Sequence, residues 1–239
     1  MNIEEFSNEF VKQAERMNIE INDSKIKKFY EYMNLLIEWN DKINLTAITE
    51  PKEVIVKHFI DSILAAKYIK DGSAVIDVGT GAGFPGIPLK IFNDSYKLTL
   101  LDSLNKRTIF LQEVVNKLEL DNIEVIHGRA EDYAHEKKYR EMYDCAISRA
   151  VAPLNILLEY LIPYASIDGC IIAMKGSNAE QELLDARNAA NKLGANLREK
   201  SVVQLPDDSG ERHILIFGKK EHTNKVYPRK AGTPKKNPL

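Results

Sequence analysis

The stretch AVIDVGTGAGFPGIPL, residues 74–89, decides how this chain is read. Ala74–Val78 has the apolar run of a buried strand, and Gly79, Gly81, Gly83 and Gly86 crowd the turn that follows. Glycine in such a turn permits positive φ and removes side chains where a ligand must approach the backbone. The turn stands at the carboxyl end of a strand, where ligands collect in open α/β sheets.

Outward from this turn the texture is periodic. Strands are expected at Lys97–Leu101, Ile123–His127, Tyr143–Ser148, Cys170–Met174, Ser201–Leu205 and His213–Phe217. Between them, Phe110, Leu111, Val114, Val115 and Leu118 share a helical face, Leu154–Ala165 reads as helical, and Glu180–Leu193 is a helix stopped by Gly194. Alternating strands and helices imply a parallel sheet covered on both faces. The last two strands lack an intervening helix and should form an antiparallel hairpin across PDDSGE. Residues 1–70 read as helices, with Ile26, Phe29, Tyr30, Met33 and Ile37 at helical spacing and Pro51 opening a further helix to about Ile69. The expected division is a helical subdomain over 1–70, a ligand-binding α/β domain over 71–220 and a tail over 221–239, whose Pro228, Pro234 and Pro238 argue against regular packing.

Composition sets bounds. With 239 residues and 44% hydrophobic content, the chain can bury a core as one domain with an appendage or as two small ones. Cys145 and Cys170 sit in apolar runs, so core residues are expected rather than a disulfide framework or a metal cluster. No stretch has the ~20 apolar residues of a membrane-spanning helix. The start, MNIEEFSNEF, has no cleavable apolar segment, and a cytoplasmic location is the expectation. The net charge of −2 is unevenly spread: residues 219–239 carry +6, leaving −8 on the body. A basic arm for a polyanion on an acidic enzyme would look like this, and so would a solvated tail.

Which ligand the glycine turn takes is a choice between two chemistries. Gly81, Gly83 and Gly86 fit G-x-G-x-x-G, and Asp102 follows about 20 residues later, as in NAD-binding folds. Against that reading, Pro85 and Pro88 disturb the helix start that would receive a pyrophosphate, and no Lys, Arg, Ser or Thr lies between Gly81 and Leu89. A zwitterionic sulfonium carrying a nucleoside fits better. Asp102, ending LTLLD, can accept from both hydroxyls of a ribose or cap the next helix. In HGRAED, Ala130 leaves room for an adenine and Glu131 can meet its polar edge, or simply start a helix in solvent. Arg149 in SRAVAPL points toward the cleft, as a ligand for cofactor or phosphate or as a structural ion pair. His58, Asp61 and Ser62 share a helical face but lack the strained G-x-S-x-G elbow of a hydrolase; a polar patch facing the sheet domain is expected.

Taken in order along nearly the whole chain, WNDKINLTAI (39–48), HFIDSI (58–63), DVGTGAGFPGIPL (77–89), LDSLNKR (101–107), SRAVAPL (148–154) and YPRKAGTPKKNPL (227–239) resemble the bacterial 16S rRNA guanine-N7 methyltransferases, the glucose-inhibited division protein B family. The resemblance implies a Rossmann-like class I methyltransferase: a seven-stranded, mostly parallel sheet with an antiparallel last strand and a helical N-terminal extension. It implies S-adenosyl-L-methionine as cofactor, with contacts at Gly79, Phe84, Ala130, Glu131 and Arg149; Asp102 joins them from the strand-end argument above. It also implies a cytoplasmic monomer acting on 16S rRNA or the small ribosomal subunit. Guanine N7 carries a lone pair and no proton, so no general base is needed and no catalytic residue is assigned. The N-P-P-Y signature of amino-group methylation is absent. An NAD-dependent oxidoreductase and a non-enzymatic RNA-binding module remain as alternatives.

Overall fold

The computed structural model describes all 239 residues. The chain opens with two helices. α1 (Ile3–Arg16) is capped by Asn2, which exchanges bonds with Glu5, and α2 (Asp23–Ile43) by Asn22, whose Oδ1 accepts from Lys25 N at 3.1 Å. A helical run follows: α3 (Pro51–Val54), a π-helical segment Ile55–Ile60, α4 (Asp61–Ile63) and a 3-10 turn Ala66–Tyr68. The single helix expected from Pro51 to Ile69 is thus broken in pitch. Such π segments occur often at functional sites, and this one carries His58.

The sheet strands are β1 (Ala74–Val78), β2 (Lys97–Asp102), β3 (Ile123–His127), β4 (Tyr143–Arg149), β5 (Ala165–Lys175), β6 (Ala195–Gln204) and β7 (Glu211–Lys219). Their order across the sheet is β3-β2-β1-β4-β5-β7-β6, with β7 antiparallel to both neighbours. This is the expected seven-stranded sheet with an antiparallel last strand. The connecting helices are α5 (Gly86–Phe92), α6 (Asn105–Lys117), α7 (Ala130–Tyr133), α8 (Leu154–Leu161) and α9 (Ala179–Leu193). Two strands begin earlier than their apolar runs. β5 starts at Ala165 and β6 at Ala195; their first halves, ASIDG and ANLREK, are largely exposed, the first bulging between the Ala165 and Cys170 pairings to β4, the second held by its ladder to β7.

Alternation along β1 divides the core. Val75 faces a cluster that includes Leu98 and Leu100 of β2, α6 and the N-terminal helices; Ile76 and Val78 face α8 and α9. The N-terminal helices contribute Phe6, Phe10, Phe29, Tyr32 and Phe59, all fully buried, and Phe29 and Phe59 lie 4.9 Å apart by ring centroid. Residues 1–70 therefore share one core with the sheet. Cys145 and Cys170 are register partners across β4 and β5 and are free thiols.

The tail departs from its expectation. It holds a short helical turn, α10 (Thr233–Lys236), and is docked along the sheet domain. Arg229 pairs with fully buried Glu159, His135 Nε2 meets Pro228 O at 2.8 Å, and Gly232 N donates to Glu131 Oε1 at 3.2 Å. Proline-rich sequence does not build regular structure by itself. It can still be pinned by side chains elsewhere in the fold, which local pattern does not reveal.

Candidate cofactor and substrate site

The chain leaves β1 into a turn secured at its first residues: Gly79 N and Thr80 N both donate to Leu101 O, at 2.8 and 3.2 Å. Gly79 sits at φ +73°, and a β-carbon there would stand 2.7 Å from Val151 Cγ2. Gly81 sits at φ +64° with open space beside it, so its requirement is conformational alone. Asp77 Oδ2 accepts from Thr80 Oγ1 at 2.6 Å and Gly86 N at 2.8 Å. Burial pushes the Asp77 carboxyl up to about 7, against those two bonds, and its Oδ1 has no partner. The amide that opens α5 is therefore spent on Asp77. A pyrophosphate would need it, so the geometry adds to the sequence argument against NAD.

Two adjoining cavities flank this turn at the carboxyl ends of the strands. The larger, about 820 Å³, is lined by Leu104, Ala130, Glu131, Pro153, Tyr160 and Lys235 among others. The smaller, about 380 Å³, is lined by Thr46, His58, Phe84, Asp102, Arg107 and Arg149 among others. Gly79, Ser103 and Val151 belong to both. All six residues expected at the site therefore stand together. Glycines at the junction and a mostly uncharged larger cavity suit an elongated ligand with a nucleoside at one end and an amino acid at the other.

Several of those residues carry structural duties as well. Asp102 is buried; its Oδ2 accepts from Gly81 N at 2.8 Å and its Oδ1 from Leu104 N at 2.9 Å. It thus holds the glycine turn and the entry to α6 together; Arg107 Nη1 also stands 3.5 Å from Oδ2, and Oδ1 keeps a second lone pair for a ligand. Glu131 is buried rather than solvent-exposed, fixed by the tail through Gly232. The Phe84 ring packs against Tyr32, stacks on His58 at 4.3 Å and lies under the Arg149 guanidinium at 4.9 Å.

Arg149 joins the sheet to the N-terminal helices. Its Nη1 donates to Asp61 Oδ2 at 2.7 Å and Lys57 O at 3.1 Å, and its Nη2 to His58 Nδ1 at 3.1 Å. Asp61, 2% exposed, also lies 3.2 Å from Arg212 Nε through its other oxygen. The π segment widens the helix where this ion pair forms and turns Lys57 O and His58 toward the cleft. Burial and the neighbouring Arg149 push His58 down to about 3, so the ring is neutral. His58 and Asp61 form the expected polar patch, while Ser62 turns back to bond His58 O at 2.5 Å.

Tyr32, Thr46 and Lys235 were not marked by sequence. Fully buried Tyr32 donates its hydroxyl to Ala82 O in the glycine turn. Thr46 reaches the smaller cavity from the link after α2, and the docked tail brings Lys235 to the larger one. The tyrosine reads as one more core residue of an amphipathic helix, and the other two as loop residues. No spacing rule joins them to a turn at residue 80.

The family model described as rRNA small subunit methyltransferase G matches residues 25–215. A ribosomal RNA small subunit methyltransferase G of Alkaliphilus oremlandii is 49% identical over 228 residues, covering 95% of each chain. One from Clostridium perfringens is 50% identical over 230 residues, covering 95% of this chain and 96% of its own. Among solved structures, a SAM dependent methyltransferase from Aquifex aeolicus matches with TM-score 0.53 at 20% identity, covering 70% of this chain and 93% of that one. A precorrin-6y C5,15-methyltransferase from Geobacter metallireducens matches with TM-score 0.51 at 13% identity, covering 75% and 92%. These two likenesses show the Rossmann-like methyltransferase fold. The sequence relatives, matching 95% of this chain, and the family model over residues 25–215 show more: this chain belongs to the rRNA small subunit methyltransferase G family.

Proposed function

We propose that this chain transfers the methyl group of S-adenosylmethionine to N7 of a guanine in 16S rRNA, as a cytoplasmic monomer acting on the rRNA or the small subunit. Family membership supports rRNA methylation with this cofactor. The observation that carries the N7 target is the lack of a free histidine in the smaller cavity. Its histidine, His58, is neutral with both ring nitrogens engaged, and both oxygens of Asp102 are tied to backbone amides. An acceptor that must lose a proton would find no free histidine there. Guanine N7 offers a lone pair and has no proton to lose.

S-adenosylmethionine supplies an activated methyl on a sulfonium. The chain's own residues position the two reactants. Ala130 and Glu131 bound the nucleoside end, Asp102 and the Gly79 turn hold the middle, and Arg149 over Phe84 walls the end nearest the N-terminal helices. The exposed cations Lys106, Lys230 and Lys236 give the acidic body some attraction for phosphate.

The test is transfer of labelled methyl to small subunits, naked 16S rRNA and assembled ribosomes, followed by digestion to nucleosides. The expected product is 7-methylguanosine on at least one substrate. Label on another atom would overturn the N7 reading. Calorimetric binding of NAD in place of S-adenosylmethionine would overturn the cofactor.

A further inference from the structure

A hydroxyl has one proton to donate and two lone pairs to accept with. Thr46 Oγ1 accepts from Ile48 N at 3.0 Å and lies 2.9 Å from His58 Nε2. The sense of that second bond is set from the far side of the imidazole. Arg149 Nη2 can only donate, and it stands 3.1 Å from His58 Nδ1. Nδ1 therefore accepts, Nε2 carries the ring's proton, and His58 donates to Thr46. A doubly protonated ring would break this arrangement, and burial beside Arg149 suppresses it.

Both lone pairs of Thr46 are thus filled, and its hydroxyl proton finds no acceptor in the protein. Thr46 lines the smaller cavity beside Gly79, Ala82 and Arg149. Its position is set by its own amide, which donates to Asn40 Oδ1 at 2.8 Å. An ordinary threonine can either donate or accept; this one can only donate. On the edge that bears N7, guanine shows the acceptor O6, whereas adenine shows the donor N6 amino group.

We propose that Thr46 is a specificity-determining residue that donates to O6 of the target guanine and excludes adenine, which would oppose donor to donor. This rests on the guanine-N7 reading above. Arg149 and His58 act as positioning residues for that hydroxyl, in addition to shaping the cavity.

The experiment is a cycle between protein and substrate. Wild type, Thr46→Val and Thr46→Ser are assayed on small subunits reconstituted with guanosine, or with 2-aminopurine riboside, at the target position. The analogue keeps N7 and lacks O6. On guanine, Thr46→Val should lower kcat/KM roughly tenfold to a hundredfold, the range for leaving one buried acceptor unpaired, and Thr46→Ser should restore most of it. On 2-aminopurine, wild type and Thr46→Val should agree within about twofold, because the group that the hydroxyl reads is gone. Equal loss on both substrates would show a merely structural role and overturn the proposal. So would full activity of Thr46→Val on guanine, or a loss explained by weaker S-adenosylmethionine binding in calorimetry, which would assign the hydroxyl to the cofactor's carboxylate. Wild type that forms no 7-methylguanosine would sink the guanine-N7 reading and this inference together; wild type that forms it beside an equally active Thr46→Val would sink only the inference.

Discussion

Arg229 and Glu159 meet in a forked ion pair, Nη2 to Oε2 at 2.6 Å and Nε to Oε1 at 2.9 Å, and the Arg229 amide adds a third bond to Oε1 at 2.8 Å. Glu159 is wholly buried, so its charge depends on this partner. Arg229→Ala should destabilise the fold by about 3–5 kcal/mol, the cost of an orphaned buried charge. Truncation after Lys220 should do at least as much, since it also removes Thr223, which bonds the buried Lys219 ammonium. Urea unfolding of both variants checks this; a full-strength truncated protein would show that the tail is a free appendage after all.

The glycine turn separates two kinds of constraint. Gly81→Ala meets only its positive φ, a penalty of roughly 1–2 kcal/mol, so S-adenosylmethionine affinity should fall about tenfold. Gly79→Ala meets the same penalty and Val151 as well, and should lose more than a hundredfold. Adding Val151→Ala to Gly79→Ala should then recover the difference. Calorimetric titration of the three variants would show it, and equal losses for Gly79→Ala and Gly81→Ala would dismiss the Val151 contact.

Asp61 holds two arginines from different elements, Arg149 on β4 and Arg212 on β7. Asp61→Ala should cost about 3–5 kcal/mol of stability by leaving both without their shared carboxylate. With Arg149 released from its place over Phe84, cofactor binding should weaken alongside. If unfolding shifts by under 1 kcal/mol while the fold is intact, the bridge is not the clasp between sheet and helices.

His58 gives a stability signature in pH. Its folded pKa lies near 3 against an ordinary 6.5. Above pH 6.5 the ring is neutral whether folded or not. As pH falls from 6.5 toward 3, only the unfolded chain takes up the proton, so this contribution to stability is full above 6.5 and drains away on acidification. The slope from this one group approaches 1.4 kcal/mol per pH unit. His58→Gln lacks it, so the stability gap between wild type and variant should narrow from pH 7 to pH 4. Parallel profiles in urea unfolding across that range would mean that the folded ring titrates normally.

The sheet was legible because its signals are local. Five residues of β1, an abrupt run of glycines and the acid that ends β2 lie within thirty positions of one another. Each has a direct physical reason: burial, positive φ and a strand-end carboxylate. The α/β alternation and the final hairpin followed from the presence or absence of a helix between apolar runs. The polar halves of β5 and β6 escaped because apolar periodicity marks burial, whereas a bulge in β5 and an exposed ladder in β6 need none.

By itself, then, the sequence marked the architecture, the glycine turn and six residues that the fold gathers around two adjoining cavities. Tertiary structure alone decided how those residues are held. Tyr32 reaches Ala82 across 50 positions, Arg149 reaches Asp61 across 88, Arg229 reaches Glu159 across 70 and Gly232 reaches Glu131 across 101. No periodicity spans such distances. It took the folded chain to seat a π segment against a strand end, to fill both lone pairs of Thr46, and to fasten a proline-rich tail beside the larger cavity.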